Sequence, residues 1–362
     1  MTNLVDIPED EILEKYPEAL EKLLLDHTTR QNIFWATDSY DHLGEGYGFK
    51  DSITIDKITK EHGSIIQPRV RKNRELQEKR TGDKAEVFTP CWICNAQNNL
   101  IDEAWFGRKN VFNTEYTTED GHHLWTPTEG DIEFDETSKD KTWRSYVRDV
   151  RLEITCGEAP YLVSRYDTTT GNEYKDLKMR VGLLDRKLRV VSEHCHDVDS
   201  WLRWAKYALK ATYGFEWQGD NLLLAREAIL YTVRDYYVDK FQKEPKRNAM
   251  KSLAFIISWN IWQMDGIKLV VPETCHEEII QPSATPSMFD HSYGEEFVEK
   301  PKAVMCPACK SGARTGHNGV RCRIRNWSLE KAPKDWDPEC EQAKWSDFRP
   351  WQLCYFEDLI NQ

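Results

Sequence analysis

Hydrophobic residues recur at helical spacing in several segments of the chain. In residues 199–214, DSWLRWAKYALKATYG, the apolar side chains share one stripe, which predicts an amphipathic helix. The same period predicts a long helix over 221–241 and a short acidic helix over 8–26 that Pro17 interrupts. A further helix is predicted from residue 92 to residue 104.

Short apolar segments between these helices predict strands. Strands are expected at 150–155, at 212–217 and towards the end of 252–262, and a helix is expected at about 159–166. The polar residues 113–142 indicate a hairpin or a surface loop. Strands that alternate with helices indicate a parallel α/β sheet, in which ligands bind at the carboxyl ends of the strands.

The loops that follow the predicted strands carry acidic residues and a glycine. Glu153 and Gly157 border the first loop, where the backbone can approach a ligand and a helix N-terminus favours a carboxylate or phosphate. Glu216 ends the next strand and can accept hydrogen bonds from the hydroxyl groups of a ribose. Asp265 follows the third strand and can accept from an exocyclic amine. Together these groups suggest a nucleoside cofactor.

Four segments resemble, in order, motifs of the N6-adenine DNA methyltransferases of bacterial restriction–modification systems. They are AEVFTP at 85–90, LEITCGEAPYL at 152–162, YGFEWQGDNLLLAR at 213–226 and NIWQMDGI at 260–267. More narrowly, the chain resembles the M subunits of restriction endonucleases over most of its length. The resemblance implies a Rossmann-like α/β fold that binds S-adenosylmethionine. The implied regions are an N-terminal helical or irregular extension (1–84), the methyltransferase-like domain (85–267) and a cysteine-rich, aromatic C-terminal segment with a zinc-knuckle-like insertion (268–362).

The resemblance also implies roles for individual residues in cofactor binding. The residues expected to flank the methionine moiety are Phe88, Thr89 and Pro90. The residues expected to form the cofactor loop are Glu153, Cys156 and Gly157. Glu216 would hold the ribose, Trp217 would lie against the adenine, and Asp265 would bond the adenine amino group.

The chain departs from the family pattern at two places. Ala159 stands where the cofactor loop usually has its second glycine, and Pro160 follows it. An alanine is accommodated there most easily if its φ angle is negative. The chain also contains no Pro-Pro dipeptide, so it lacks the Asn/Asp-Pro-Pro-Tyr/Phe motif that positions the target adenine. Alone, it is not expected to methylate DNA.

Three explanations fit the missing motif. The chain is one half of a split methyltransferase, an N-terminal part of a longer enzyme, or a non-catalytic subunit for DNA binding or complex assembly. The first two are favoured, with double-stranded DNA and a chain carrying the catalytic motif, or a restriction subunit, as partners. A nicotinamide enzyme is disfavoured because the first loop lacks a three-glycine pattern.

Cysteines near the C-terminus have the spacing of a metal site. Cys306 and Cys309 form a Cys-x-x-Cys pair, Cys322 follows twelve residues later, and Cys275 is the preferred fourth ligand of a structural zinc site. His317 and His276 are the alternatives for that position, and separate thiols are the simpler interpretation. Other candidates, the Cys91/Cys94 pair and His194/His196 with Cys195, are interpreted as packed thiols and as an exposed loop.

Composition narrows the class of protein further. The 362 residues carry a formal net charge of −12, which disfavours indiscriminate binding to nucleic acid, although 68–80 and 310–327 are locally basic. No apolar run is long enough to cross a bilayer, and no basic-then-apolar leader follows Met1, so a cytoplasmic location is expected. Ten cysteines with Cys-x-x-Cys spacing suit metal or redox chemistry there.

Overall fold

The computed structural model describes residues 5–84, 89–135, 137–280, 302–345 and 348–360 as a mixed α/β protein. Its helices are α1 Glu9–Lys15, α2 Pro17–Leu24, α3 Ile55–Ile58, α4 Arg74–Lys84, α5 Cys91–Phe106, α6 Trp143–Arg148, α7 Leu183–His194, α8 Val198–Lys210, α9 Gly219–Phe241, α10 Arg247–Asn260, α11 Pro307–Ser311 and α12 Phe356–Ile360. Its strands are β1 Asn113–Thr117, β2 His123–Pro127, β3 Arg151–Glu153, β4 Thr212–Glu216, β5 Ile261–Gln263, β6 Glu278–Ile280, β7 Lys302–Val304, β8 Arg323–Arg325 and β9 Leu353–Tyr355.

The three central strands form one parallel sheet in the order β3-β4-β5. Arg151 pairs with Thr212, and Gly214 pairs with Ile261, so the carboxyl ends of the strands lie at the same edge. Helices α7 and α8 connect β3 to β4, and α9 and α10 connect β4 to β5. The remaining strands form antiparallel pairs. A three-stranded sheet does not establish the Rossmann-like fold, which stays a prediction.

The N-terminal segment shares its hydrophobic core with the helices around this sheet. Leu20 and Leu23 of α2 are fully buried in the same cluster as Leu253 of α10. The buried side chain of Arg226 on α9 joins the two regions, because its Nε donates to the Ile261 carbonyl at 2.8 Å and its Nη1 donates to the Leu25 carbonyl at 3.1 Å. Arg226 therefore ties the N-terminal segment to the sheet.

Most of the helices predicted from periodicity form close to their expected bounds. Pro17 is the first residue of α2, which confirms that it interrupts the N-terminal helical segment. The helix predicted from 199 is α8, which begins at Val198 because Asp197 caps it by accepting from the Ser200 amide at 2.8 Å. In 252–262, the apolar residues continue α10 to residue 260, and only the last part is strand.

The helix predicted at 159–166 is wrong. Turns occupy these residues, and Ala159 has a left-handed backbone with φ of 62°. Pro160 follows directly and has no amide hydrogen to donate. A left-handed residue next to a proline does not start an α-helix, although the apolar pattern of the segment favours one.

A buried ion pair holds the start of α9 against the N-terminal segment. Asp220 is fully buried, and its carboxylate lies 2.8 Å from Arg80 Nη1 and 3.8 Å from Lys72 Nζ and accepts from the Tyr40 hydroxyl at 2.9 Å. Burial opposes ionisation, yet Arg80 and Lys72 lower the pKa of Asp220 to about 2. Two basic residues of the stretch 68–80 are thus buried and have a structural role.

We expect Asp220→Asn to lower the free energy of unfolding by about 3–5 kcal/mol, because the substitution removes the negative member of a buried ion pair. The folded pKa of Asp220 lies below its unfolded value, so its contribution is present above about pH 4 and is lost as the pH falls towards 2. The difference between variant and wild type should therefore shrink over this window. Urea unfolding at several pH values measures it.

The exposed pair of Arg74 and Glu78 on α4 provides the control. Its Nε and Oε1 atoms lie 2.8 Å apart, and both side chains are largely in solvent. Glu78→Gln should change the free energy of unfolding by at most about 0.5 kcal/mol. Equal effects of the two substitutions would contradict the structural role given to Asp220.

Candidate functional sites

A cavity of about 980 Å³ opens at the carboxyl ends of β3 and β4. Six of the nine predicted cofactor residues, from three of the motif segments, line it, namely Thr89, Glu153, Cys156, Gly157, Glu216 and Trp217. Its volume is at the upper end of the range of about 300–1,000 Å³ that is typical of small-molecule sites. Residues that are far apart in the sequence therefore meet around one space that can hold a nucleoside-sized ligand.

The loop after β3 is attached to the end of β4 by backbone hydrogen bonds. The Cys156 amide donates to the Phe215 carbonyl at 2.8 Å, and the Gly157 amide donates to Glu216 Oε2 at 2.9 Å. Gly214 leaves room for this approach, since a Cβ atom there would lie 3.2 Å from Cys156 Sγ. Gly157 itself has a φ of 52°, which favours glycine.

Ala159 occupies the glycine position of the family pattern without filling the cavity. Its side chain is completely buried in the hydrophobic core and is not among the residues that line the cavity. Its φ angle is positive, whereas a negative φ angle was expected for an alanine at this position. The cost of this substitution is thus a strained backbone, about 1–2 kcal/mol, rather than a blocked site.

Two buried carboxyl groups face the cavity. Burial raises the pKa of Glu216 to about 7, although the amides of Gly157 and Gln218 oppose this shift. Burial also raises the pKa of Glu153, and the nearby Glu216 raises it further. Among the described residues, Glu153 Oε2 is buried without a hydrogen-bond partner. A bound cation or hydrogen-bond donor would stabilise the ionised form of both groups.

The ionisable side chains that the structure describes in the lining of the cavity include three carboxylic acids and no basic group. A third acid, the exposed Glu273, joins Glu153 and Glu216 in the lining, and no described lining residue is lysine, arginine or histidine. When these acids are ionised, the lining attracts a cationic ligand and repels phosphate groups, and a cationic ligand in turn favours the ionised form. The arrangement differs in this respect from a phosphate-binding loop.

Two of the predicted cofactor residues, Pro90 and Asp265, are described and do not line the cavity, and a third is not described. Phe88 lies outside the described residues. Pro90 caps α5 and does not line the cavity, although its neighbour Thr89 does. Asp265 is buried in its own turn, where Oδ1 accepts from the amides of Ile267 at 2.9 Å and Lys268 at 3.1 Å. The expected contact of Asp265 with an adenine amine is therefore replaced by a structural one.

Several lining residues were not identified from the sequence. Ala36 and Phe49 come from the N-terminal segment, and Asn98 comes from α5. Asn98 Nδ2 donates to the carbonyls of Tyr161 and Val181, both at 3.0 Å, and thereby attaches α5 to the loop after β3. The polar run NAQNN within a predicted helix could have indicated that Asn98 lies at a site. No such signal marks Ala36 and Phe49, because long-range packing brings them to the cavity.

A second candidate site is a group of three cysteines and one histidine. The ligand atoms of Cys275, Cys306, Cys309 and His317 all lie within 4.8 Å of one another, so the group can hold a metal ion. His317 Nδ1 lies 3.6, 3.7 and 3.4 Å from the sulfur atoms of Cys275, Cys306 and Cys309. A tetrahedral site with metal–sulfur bonds of about 2.3 Å and metal–nitrogen bonds of about 2.0 Å has nitrogen–sulfur edges of about 3.5 Å.

Local structure orients these four side chains. Strands β6 and β7 pair antiparallel, which brings Cys275 near Cys306, and Cys306 caps the short helix α11. Gly312 ends that helix with a φ of 69°. His317 Nε2 lies 2.9 Å from the Ala313 carbonyl, so a proton on Nε2 leaves the Nδ1 lone pair directed at the sulfur atoms.

The environment of Cys306 favours its thiolate form. Burial opposes ionisation, but the amides of Asn318 and Cys309 and the contact with His317 lower the pKa of Cys306 to about 6. Because the thiolate is the form that binds metal, this shift is consistent with a ligand role.

We call the group of Cys275, Cys306, Cys309 and His317 the metal centre. Cys322 is not part of it, contrary to the sequence prediction. It is buried in a cluster with Phe215 and Trp262, and its Sγ donates to the Gln263 carbonyl at 3.5 Å. Its neighbours on β8 pair with β9, which directs Cys322 towards the sheet. His317, one of the two alternatives, takes the remaining position in the group, and the other alternative, His276, is outside it.

The other cysteine and histidine candidates are packed side chains except for His196, which is exposed. Cys91 and Cys94 are buried on α5, where their sulfur atoms lie near the carbonyls of Tyr166 and Thr89. His194 stacks on Trp143 with ring centroids 4.9 Å apart. Within the described residues, neither set belongs to a group that can hold a metal.

Comparison of the chain with models of protein families, with curated proteins and with solved structures found no match. The likeness to DNA methyltransferases therefore depends on the four sequence segments. In the described part of the chain, no helix has the length and apolar character that crossing a membrane requires.

We expect the purified protein to hold about one metal ion per chain, and Cys309→Ser or His317→Asn to lose most of it, because each removes one of four ligands. Elemental analysis of protein purified without added metal measures the ratio. Cys322→Ser tests the corrected ligand set and should retain the metal. Retention in Cys309→Ser together with loss in Cys322→Ser would contradict it.

Proposed function

We propose that the chain binds S-adenosylmethionine in the cavity and is a subunit or the N-terminal part of an adenine-N6 DNA methyltransferase of a restriction–modification system. The observation that carries this proposal is the meeting of six predicted cofactor residues around one cavity. The segments resemble methyltransferase motifs in the order expected of that family.

The charge of the cavity supports this ligand over a nucleotide. S-adenosylmethionine carries a sulfonium, an ammonium and a carboxylate group and is a net cation at neutral pH, and three acids line the space without a described basic residue. Glu216 would accept from the ribose hydroxyls, and the unpartnered oxygen of Glu153 would accept from the ammonium group. Nicotinamide cofactors carry phosphates, which this lining would repel. When bound, the cofactor supplies a methyl group that transfers directly to an extruded adenine.

The open edge of the parallel sheet supports the expectation of a partner chain. Among the described residues, β4 is the strand that pairs with β3, so the other edge of β3 is unpaired. The Arg151 amide donates to Ala211 of the β4 side, which directs the backbone groups of Leu152 towards the open edge. Val150, Leu152 and Ile154 are 60, 41 and 64% exposed. These three side chains share one face of the strand, and parallel strands are normally covered on their faces and paired at their edges. The exposed apolar face and the open edge of β3 therefore suit contact with a partner chain.

The metal in the second site is proposed to be zinc with a structural role. Three cysteines and one histidine whose ligand atoms lie within 4.8 Å of one another match a zinc ligand set, and four protein ligands would leave no open position for catalysis.

The basic residues do not support the alternative of a DNA-binding subunit without a cofactor. In the stretch 310–327, Arg321 pairs with Glu357 at 2.7 Å and Arg323 lies over the Trp345 ring at 4.1 Å. These arginines have partners inside the chain, as Arg80 does. Contact with double-stranded DNA remains a prediction from the resemblance.

We expect saturable binding of S-adenosylmethionine in isothermal titration calorimetry, and Glu216→Gln to weaken it at least about tenfold by removing a buried, hydrogen-bonded carboxylate. Asp265→Asn is the matched control, and it should leave the affinity unchanged because Asp265 does not line the cavity. Absence of binding with a retained DNA shift would favour the non-catalytic alternative.

We expect DNA methylation when the chain is mixed with a partner chain that carries the Asn/Asp-Pro-Pro-Tyr/Phe motif, and none from either alone. Incorporation of labelled methyl groups into DNA measures it. Val150→Lys should abolish incorporation, because a lysine at an open strand edge opposes pairing, while S-adenosylmethionine binding persists. No incorporation with any such partner would count against the split enzyme.

A further inference from the structure

Glu273 connects the cavity to the metal centre. It lines the cavity, and it lies two residues before Cys275, a metal-centre ligand. Its backbone has a φ of 55°, an unfavourable conformation for a residue with a side chain. A strained residue of this kind keeps its place only if the segments on both sides hold it.

The segments on both sides of Glu273 are attached to the residues that follow His317. The Val271 amide donates to the Val320 carbonyl at 2.8 Å, and the Val320 amide donates to Thr274 Oγ1 at 2.9 Å. Val271 is anchored in the buried cluster under β4 and β5. On the N-terminal side of Glu273, the packing of the protein core therefore already fixes the segment.

On the C-terminal side of Glu273, the segment is connected to the metal centre. Asn318 Nδ2 donates to the His276 carbonyl at 2.8 Å, and the Asn318 amide donates to Cys306 Sγ at 3.4 Å. A metal ion bound to both Cys275 and His317 would clamp these two segments together at the end nearest Glu273. Without that clamp, only hydrogen bonds between short, partly exposed segments would hold the side of Glu273 that lies away from the core.

We propose that the metal centre positions Glu273 at the mouth of the cavity and that Glu273 selects a cationic ligand over its neutral counterpart. This inference rests on the proposed function. S-adenosylmethionine has a positive sulfonium, whereas its demethylated product, S-adenosylhomocysteine, has a neutral thioether. A carboxylate at the mouth therefore attracts the methyl donor more strongly than the spent product, which assists exchange of product for substrate.

Calorimetry on the full, zinc-loaded chain tests the role of Glu273. Glu273→Gln should weaken S-adenosylmethionine binding about fivefold and change S-adenosylhomocysteine binding less than about twofold, because only a charge is removed. Glu277→Gln is the matched control. It is an exposed acid two residues beyond Cys275 that does not line the cavity, and it should change neither affinity.

A double-mutant cycle tests the role of the metal centre. Cys309→Ser should reduce the preference for S-adenosylmethionine over S-adenosylhomocysteine as Glu273→Gln does, and the two substitutions together should reduce it no further. His317→Asn provides a second metal-free variant if the cysteine variant does not fold, and elemental analysis confirms the loss of metal.

The outcomes separate this inference from the proposed function. A wild-type chain that binds neither compound contradicts both. Binding by the wild type with an unchanged preference in Glu273→Gln contradicts the selection by Glu273 alone. Additive losses in the double variant contradict the positioning of Glu273 by the metal centre.

Discussion

The hydrogen bond from the Gly157 amide to the Glu216 carboxylate joins the ends of two neighbouring parallel strands. The candidate cavity depends on this contact, because it brings the loop after β3 over the end of β4. Parallel pairing makes it possible, since both strands finish at the same edge of the sheet. The bonded carboxylate remains in the lining of the cavity, so one side chain has both a structural position and a potential ligand contact.

The acids of the cavity give the site its chemical character. Two of them are buried with raised pKa values, and a third lies at the mouth. Buried carboxyl groups without counter-charges are costly for a folded protein, and such costs are usual at binding sites. In contrast, Asp220 lies a few residues away with Arg80 and Lys72 as partners and has a lowered pKa. Asp220 thus has basic side chains of the protein beside it, whereas the described lining of the cavity has none, so a cationic ligand would have to supply the positive charge there.

The two ends of the chain complete a site whose centre lies between them. The N-terminal segment supplies Ala36 and Phe49 to the cavity and packs into the shared core through α2. The C-terminal segment supplies Glu273 and the metal ligands. The exposed edge of β3 is the part of this region that the described chain leaves uncovered, and it borders the cavity through Leu152 and Ile154.

The sequence by itself determined the local elements and the chemistry of single positions. The helical period located α8 and α9, the short apolar runs located β3 and β4, and the Cys-x-x-Cys spacing located two metal ligands, because these signals depend on neighbours in the chain. Tertiary structure decided which distant residues meet. It placed His317 rather than Cys322 in the metal centre, turned Asp265 into its own loop, and brought Phe49 to the cavity. It also replaced the helix expected at 159–166 by turns. The contacts of this loop with the end of β4 determine its conformation, and the apolar pattern of the segment does not. Spacing along a chain limits the separation of two side chains, but packing of the whole core sets the direction in which each one points.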